Sequence, residues 1–174
     1  AATLNLPSDN TGTVDACAST EGGHWVKDGA GWWYACADGT SYLKDGWFTI
    51  NGRDYQFGPS GYMATGFLKR ANGDWVYADQ DGALVSGWVR DGGQWYYLDP
   101  SSKVMKTGWL ADGGSWYYLT GNGAMATGWV NDGGTWYYLN ASGKMVTGWL
   151  NVGGTWYYLS PSGAMLTGTQ VING

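Results

Sequence analysis

An aromatic side chain preceded by glycine, or once by histidine, recurs through this 174-residue chain at Trp25, Trp47, Phe67, Trp88, Trp109, Trp129 and Trp149. The intervals are 22, 20, 21, 21, 20 and 20 residues. A period that short holds a single supersecondary unit, too small to bury an apolar face by itself, so successive units must cover one another in a stacked array. Seven units fit the period, and an eighth opens at Gly168 in TGTQVING and stops. The expected organisation is an N-terminal extension over residues 1–24 that carries Cys17, degenerate repeats over 25–86, well-formed repeats over 87–168, and the start of a truncated further repeat over 169–174.

No unit carries a helical period; each reads as strand, tight turn, strand, loop. In the sixth unit the turn Asn131-Asp132-Gly133-Gly134 contains an Asp-Gly pair, the strong signal for a two-residue type I′ hairpin. With Asp132 and Gly133 central, Trp129 stands directly opposite Trp136, with Cβ atoms ~5 Å apart. Alternation along Trp136-Tyr137-Tyr138-Leu139 puts Trp136 and Tyr138 on one face and Tyr137 and Leu139 on the other. The same register pairs Trp25 with Trp32, Trp88 with Trp95, Trp109 with Trp116 and, around a weaker Val152-Gly153 turn, Trp149 with Trp156. A lone hairpin is not stable in water. The expected inter-unit core is therefore Tyr96, Tyr117, Tyr137 and Tyr157 with the leucines that follow them. Turn chemistry accounts for the recurring Asp28, Asp91, Asp112 and Asp132.

Composition narrows the function. Trp and Tyr supply 13 residues each against 3 Phe, and 31 residues are Gly, which points to many half-exposed rings with polar tips rather than an aliphatic core. A net charge of −5 and a pI near 4.5 argue against nucleic acid, which requires a basic patch, and against docking to an anionic surface. No apolar run reaches the ~18 residues of a membrane-spanning helix. His24 is the single histidine, so neither a zinc site nor a paired nucleophile and base is expected: no metal and no catalytic residues. Cys17 and Cys36 can form one disulfide tying the N-terminal segment to the first hairpin, or stand as two free thiols in a reducing compartment.

The units GWVRDGGQWYYLDPSSKVMKTG, GWLADGGSWYYLTGNGAMATG, GWVNDGGTWYYLNASGKMVTG and GWLNVGGTWYYLSPSGAMLTG resemble choline-binding repeats, the modules by which Gram-positive surface proteins hold phosphocholine on teichoic and lipoteichoic acids. The match is close from Gly87 to Gly168 and loose from Trp25 to Ser86. The resemblance implies an all-β solenoid, a left-handed superhelix of stacked hairpins, with ligand sites between consecutive units. It implies a secreted, non-covalently wall-associated protein with no cofactor, whose ligand is choline, and a choline-linked homodimer as one available assembly. Each site would use the paired tryptophans of one unit and the second tyrosine of the next. Three complete cages follow: Trp88, Trp95 and Tyr118; Trp109, Trp116 and Tyr138; Trp129, Trp136 and Tyr158. Met105, Met125, Met145 and Met165 either line these cages or pack beside them.

Where the sequence departs from the pattern, weaker sites are expected. Asp54 stands at the second tryptophan of the second unit and Gln56 at its tyrosine, so the cage begun by Trp25 and Trp32 is expected to lack a third wall. The second unit keeps only Trp47 and Tyr77. The third offers Phe67, Trp75 and Tyr97 with one extra turn residue, and the seventh offers Trp149 and Trp156. A quaternary ammonium donates no hydrogen bond and suits the negative faces of aromatic rings at ~0.5–2 kcal/mol per ring, so three rings give roughly millimolar affinity. Two other readings stand beside this one. The aromatic and glycine-rich units also resemble the glucan-binding repeats of surface glucosyltransferases, especially YLKDGWFTINGRDYQFGPSGYMATG. The rings could also be pure inter-unit core in a structural spacer.

Overall fold

The computed structural model describes Cys17 and residues 19–168. Expectations for residues 1–16, 18 and 169–174 lie outside the described residues. The fold is an all-β hairpin-repeat solenoid. Among the described residues, fourteen strands pair into seven two-stranded antiparallel sheets. In chain order the hairpins are β1 (His24–Asp28) with β2 (Gly31–Ala35), β3 (Gly46–Ile50) with β4 (Arg53–Phe57), β5 (Gly66–Lys69) with β6 (Trp75–Ala78), and β7 (Gly87–Asp91) with β8 (Gln94–Leu98). Then come β9 (Gly108–Asp112) with β10 (Ser115–Leu119), β11 (Gly128–Asp132) with β12 (Thr135–Leu139), and β13 (Gly148–Val152) with β14 (Thr155–Leu159). The hairpins fall into two compact units. One carries β1 to β6 and the loop Leu98–Val104; the other carries Trp88–Tyr97 and β9 to β14.

The turns differ from the sequence expectation by one position. Asp132 pairs with Thr135 and Trp129 with Tyr138, so the two-residue loop is Gly133-Gly134, not Asp132-Gly133. A type I′ turn needs φ > 0 at both central residues, and Gly133 and Gly134 take φ of 59° and 90°. An L-residue in that region costs roughly 1–2 kcal/mol, which glycine avoids, so the Gly-Gly pair outcompetes Asp-Gly. The fifth and seventh hairpins follow the same register, with Trp109 opposite Tyr118 and Trp149 opposite Tyr158. In the second hairpin Asn51 and Gly52 do the same work at φ of 51° and 77°. The first hairpin turns at Gly29-Ala30, where the Asp28 carboxylate accepts from the N–H groups of Ala30 and Gly31. The shift moves the pairing by two residues. Side chains alternate with period two, so every predicted face survives; only the direct Trp–Trp opposition becomes diagonal.

The leucines that end the second strands are the buried anchors: Leu98, Leu119, Leu139 and Leu159 are all at or near zero exposure. The tyrosines expected beside them, Tyr96, Tyr117, Tyr137 and Tyr157, are only half-buried; the rings of the last three reach into the junctions. In the second unit Tyr97, Leu110 and Leu119 form a core on which Trp88, Tyr117 and Met125 pack. In the first unit Tyr34, Leu43, Ile50 and Phe57 form the largest cluster, with Trp25, Tyr55, Met63 and Cys17 against it. Cys17 and Cys36 are joined by a disulfide, with Cα atoms 5.6 Å apart.

The loops after the second, fifth, sixth and seventh hairpins return the chain to the preceding one. Asn140 Oδ1 accepts from the N–H groups of Ser142 and Lys144, closing a tight Asx-type bend. Met145 then donates its N–H to the carbonyl of Trp116, one hairpin back, at 2.8 Å. Met63 to Trp32, Met125 to Trp95 and Met165 to Trp136 repeat this bond at 2.7 to 2.8 Å. Replacing Gly133 by Ala is expected to lower stability by about 1–2 kcal/mol, seen as a fall in the thermal midpoint. Asp132→Gly discriminates between the registers: a turn at 132–133 would gain from it, whereas the observed register predicts a further loss.

Candidate functional site: aromatic junctions between hairpins

Each junction begins with the two tryptophans of one hairpin. Trp129 and Trp136 share a face on a diagonal, and their rings meet at 6.5 Å and 86°. Trp25 and Trp32 repeat that arrangement at 6.5 Å and 87°. The next hairpin supplies the third wall. Tyr157 lies 4.8 Å from Trp129, Tyr137 4.8 Å from Trp109, Tyr117 5.0 Å from Trp88 and Tyr55 4.9 Å from Trp25, all edge-on at 65° to 69°.

This corrects the predicted third wall. Tyr118, Tyr138 and Tyr158 do not close the preceding cage; they pack on Trp109, Trp129 and Trp149 of their own hairpins at 5.0 to 5.1 Å. The ladder explains why. Tyr138 stands opposite Trp129 and shares its face, so only the alternate face, with Tyr137, is turned toward the hairpin before. The first tyrosine of WYYL is the wall, and the second buttresses the first tryptophan of its own hairpin.

A methionine forms the fourth side. Trp109, Trp116, Tyr137 and Met145 line a cavity of about 360 Å³. Trp129, Trp136, Tyr157 and Met165 line one of about 300 Å³. Trp25, Trp32, Tyr55 and Met63, with Asp81 at the edge, line one of about 230 Å³. These sit at or below the low end of drug-sized pockets, ~300–1,000 Å³, and suit a small head group. Met125 is tied to Trp95 by its backbone bond and, like Trp88 and Tyr117, packs on the core of Tyr97, Leu110 and Leu119. A neighbouring glycine leaves room for three of the thioethers. A Cβ at Gly123, Gly143 or Gly163 would collide with the sulfur of Met105, Met125 or Met145 respectively. With their positive φ, this accounts for the glycine in these three GxM loops.

Two aspartates do more than shape turns. Asp112 Oδ2 accepts from Trp88 Nε1 at 2.9 Å, and Asp132 Oδ2 accepts from Trp109 Nε1 at 2.9 Å. Each carboxylate thus fixes an indole of the preceding hairpin while leaving the ring face open. Trp129 lacks this anchor, because Val152 occupies the corresponding position.

The junction begun by Trp25 and Trp32 is therefore complete, against expectation. Tyr55, in the first-tyrosine position of DYQF, was the available signal. The second junction is not a cage. Val76 stands at the wall position, Tyr77 packs on Phe67 of its own hairpin at 4.9 Å, and the Arg70 guanidinium lies 4.4 Å over Trp47. Of the remaining candidates, Trp75 is exposed with Lys69 Nζ 5.8 Å from its ring, while Tyr97 is buried against Trp88. Trp149 and Trp156 are the most exposed tryptophans, at 58% and 64%.

The repeat pattern and these junctions define a class. The choline-binding repeat model matches residues 64–107, 85–127 and 126–169, and a putative cell wall binding repeat matches 45–63. The chain belongs to the choline-binding repeat family. Among solved structures it is similar to choline binding protein F of Streptococcus pneumoniae, crystallised in the presence of a peptidoglycan analogue, at 40% identity over 84% of this chain and 53% of that one, with a TM-score of 0.69. CbpJ of the same organism gives 44% identity over 84% and 53%, with a TM-score of 0.69. The choline-binding domain of its CbpL gives 30% over 82% and 76%, with a TM-score of 0.59. The chain thus spans about half the length of the first two relatives. A comparison with curated protein sequences finds no match.

Val152→Asp is expected to give Trp129 the carboxylate that Trp88 and Trp109 already have, adding about 1 kcal/mol of stability. A downfield shift of a single indole N–H resonance, assigned with Trp129→Phe, is the check.

Proposed function

We propose that this chain is a non-catalytic attachment module that takes the trimethylammonium group of choline at four junctions: Trp25/Trp32/Tyr55, Trp88/Trp95/Tyr117, Trp109/Trp116/Tyr137 and Trp129/Trp136/Tyr157. The observation that carries this reading is the recurrence of one geometry. A tyrosine edge lies 4.8 to 5.0 Å from a tryptophan of the hairpin before, beside a second tryptophan and, in three of the four, a lined cavity. Rings set nearly perpendicular offer their negative faces to a cation from several directions. They offer no flat platform on which a pyranose could lie with polar side chains at its rim.

Three faces at ~0.5–2 kcal/mol each give roughly millimolar affinity per site. Four such sites on one chain, facing a polymer that repeats its choline, gain ~10²–10⁴ in avidity where the spacing permits. Phosphocholine-bearing teichoic or lipoteichoic acid is the polymer that fits, which makes the working location the outer cell surface. The family membership and the likeness to CbpF, CbpJ and the CbpL choline-binding domain support the ligand class.

Choline titrated against the full chain should quench tryptophan emission, raise the melting temperature and saturate four sites. Trp32→Ala and Tyr137→Ala should each remove one, and Tyr137→Phe should retain it. Dextran should produce none of these effects. Release from purified wall by dextran but not by choline would favour the glucan reading instead.

A further inference from the structure

The second junction has exchanged its ligand chemistry. Asp54 occupies the position of the second tryptophan, and Arg70 the position held elsewhere by the indole-binding aspartate. Arg70 lies over Trp47 at 4.4 Å, and its Nη2 donates to Asp54 Oδ2 at 3.1 Å. The place of an external cation is thus filled by the chain's own guanidinium. The Thr49 hydroxyl donates to Asp54 at 2.6 Å; that bond, together with Arg70, holds the carboxyl below its ordinary range and keeps it charged.

Arg70 also lines an open cleft of about 540 Å³ with Arg53, Lys103, Ser102, Asp54 and Asp79. Three cations face two carboxylates, one positive charge in excess, on a chain whose net charge is −5. Both carboxylates are already engaged: Asp54 by Arg70 and Thr49, Asp79 through Oδ1 by the N–H groups of Asp81 and Ala83. Among the described residues, Arg53 and Lys103 take part in no ion pair. Ser102 Oγ accepts from Val104 N–H, and its hydroxyl is engaged by the Asp99 carboxylate, so the cleft's free donors are those of the cations. Lys103 is carried on a left-handed backbone, φ 62°, in the SSKV loop, where the later repeats have a shorter loop with glycine.

We propose that this cleft is an anion site for a phosphate-type oxyanion, distinct from the aromatic cages and independent of what they bind. A tetrahedral anion with three or four oxygens can take donors from two guanidiniums and an ammonium at once, where a single carboxylate could use only part of the set. Arg70 is preorganised by its ring and its carboxylate, so little side-chain freedom is lost when it binds. The cleft is open, so binding is weak and falls with ionic strength.

The test uses the indole N–H resonance of Trp47, assigned with Trp47→Phe, in the full ¹⁵N-labelled chain. Inorganic phosphate and diethyl phosphate are titrated separately, each against sodium chloride at matched ionic strength. A saturable shift with either phosphate, absent with chloride, is expected. Saturation by inorganic phosphate alone identifies a terminal phosphate as the ligand, and saturation by diethyl phosphate a backbone diester. The double variant Arg53→Gln/Lys103→Asn, at two exposed positions, should keep its melting midpoint and bind about tenfold more weakly. Its choline titration should match the parent's, so failure here and failure of the choline reading are separable. A shift that tracks ionic strength in all three salts, or unchanged phosphate affinity in the double variant, overturns the proposal.

Discussion

The contact on which this structure depends is an aromatic edge resting on an indole of the preceding hairpin. Tyr117 on Trp88, Tyr137 on Trp109 and Tyr157 on Trp129 are the same contact three times over, at 4.8 to 5.0 Å. A two-stranded ribbon of about ten residues has one buried anchor of its own, such as Leu139, and cannot hold together alone. The ring contact supplies the missing cover. It also leaves the tryptophan face partly open, because an edge covers less of a ring than a stacked face does. Core packing and ligand cavity are therefore made by the same atoms. A chain built this way must use large rings where an ordinary core would use aliphatic side chains.

That double use explains what could be read from the sequence and what could not. The 20-residue period, the hairpins and the sharing of faces follow from alternation and glycine placement, and alternation is insensitive to a two-residue shift in pairing. The Gly133-Gly134 turn thus left Trp129 and Trp136 on one face although it separated them along the ladder. The identity of the third wall was not protected in the same way. Tyr137 and Tyr138 are neighbours of one type, and nothing in their own chemistry says which faces backward. Only the ladder partner decides, and Tyr138 is opposite Trp129. Once that is known, Tyr55 in DYQF becomes the wall of the first junction, and a site that looked broken is whole.

The same reasoning separates degenerate repeats that kept their junction from one that lost it. The first junction tolerates Asp54 and Gln56 in the second hairpin, because neither position faces backward; Tyr55 does, and it is retained. The second junction loses its wall to Val76 and its second tryptophan to Asp54, and both changes fall on positions that matter. Arg70 then occupies the remaining ring. An isolated Asp54 beside Trp47 would be a poorly compensated charge, and an isolated Arg70 would be a cation without a partner. Together they pair at 3.1 Å and cover the indole. The cation–π interaction is conserved in kind while its cation has moved inside the chain.

The indole-binding aspartates show how finely the junctions are graded. Asp112 and Asp132 hold Trp88 and Trp109 by the ring nitrogen, which fixes the ring plane without touching its face. A carboxylate accepting from an indole N–H also pushes electron density toward the ring, strengthening the negative face that a cation would meet. Trp129, opposite Val152, has neither effect. Its cavity keeps all four walls, with Tyr157 at 4.8 Å and Met165 alongside, so the difference lies in how firmly one wall is held. Sites of equal shape along the array are thereby unequal in rigidity. A loosely held ring must be ordered when a ligand arrives, which costs entropy that Trp88 and Trp109 have already lost on folding. Affinity should therefore vary along the repeat even where the lining residues match, and the cause is a single residue one hairpin away that touches no ligand.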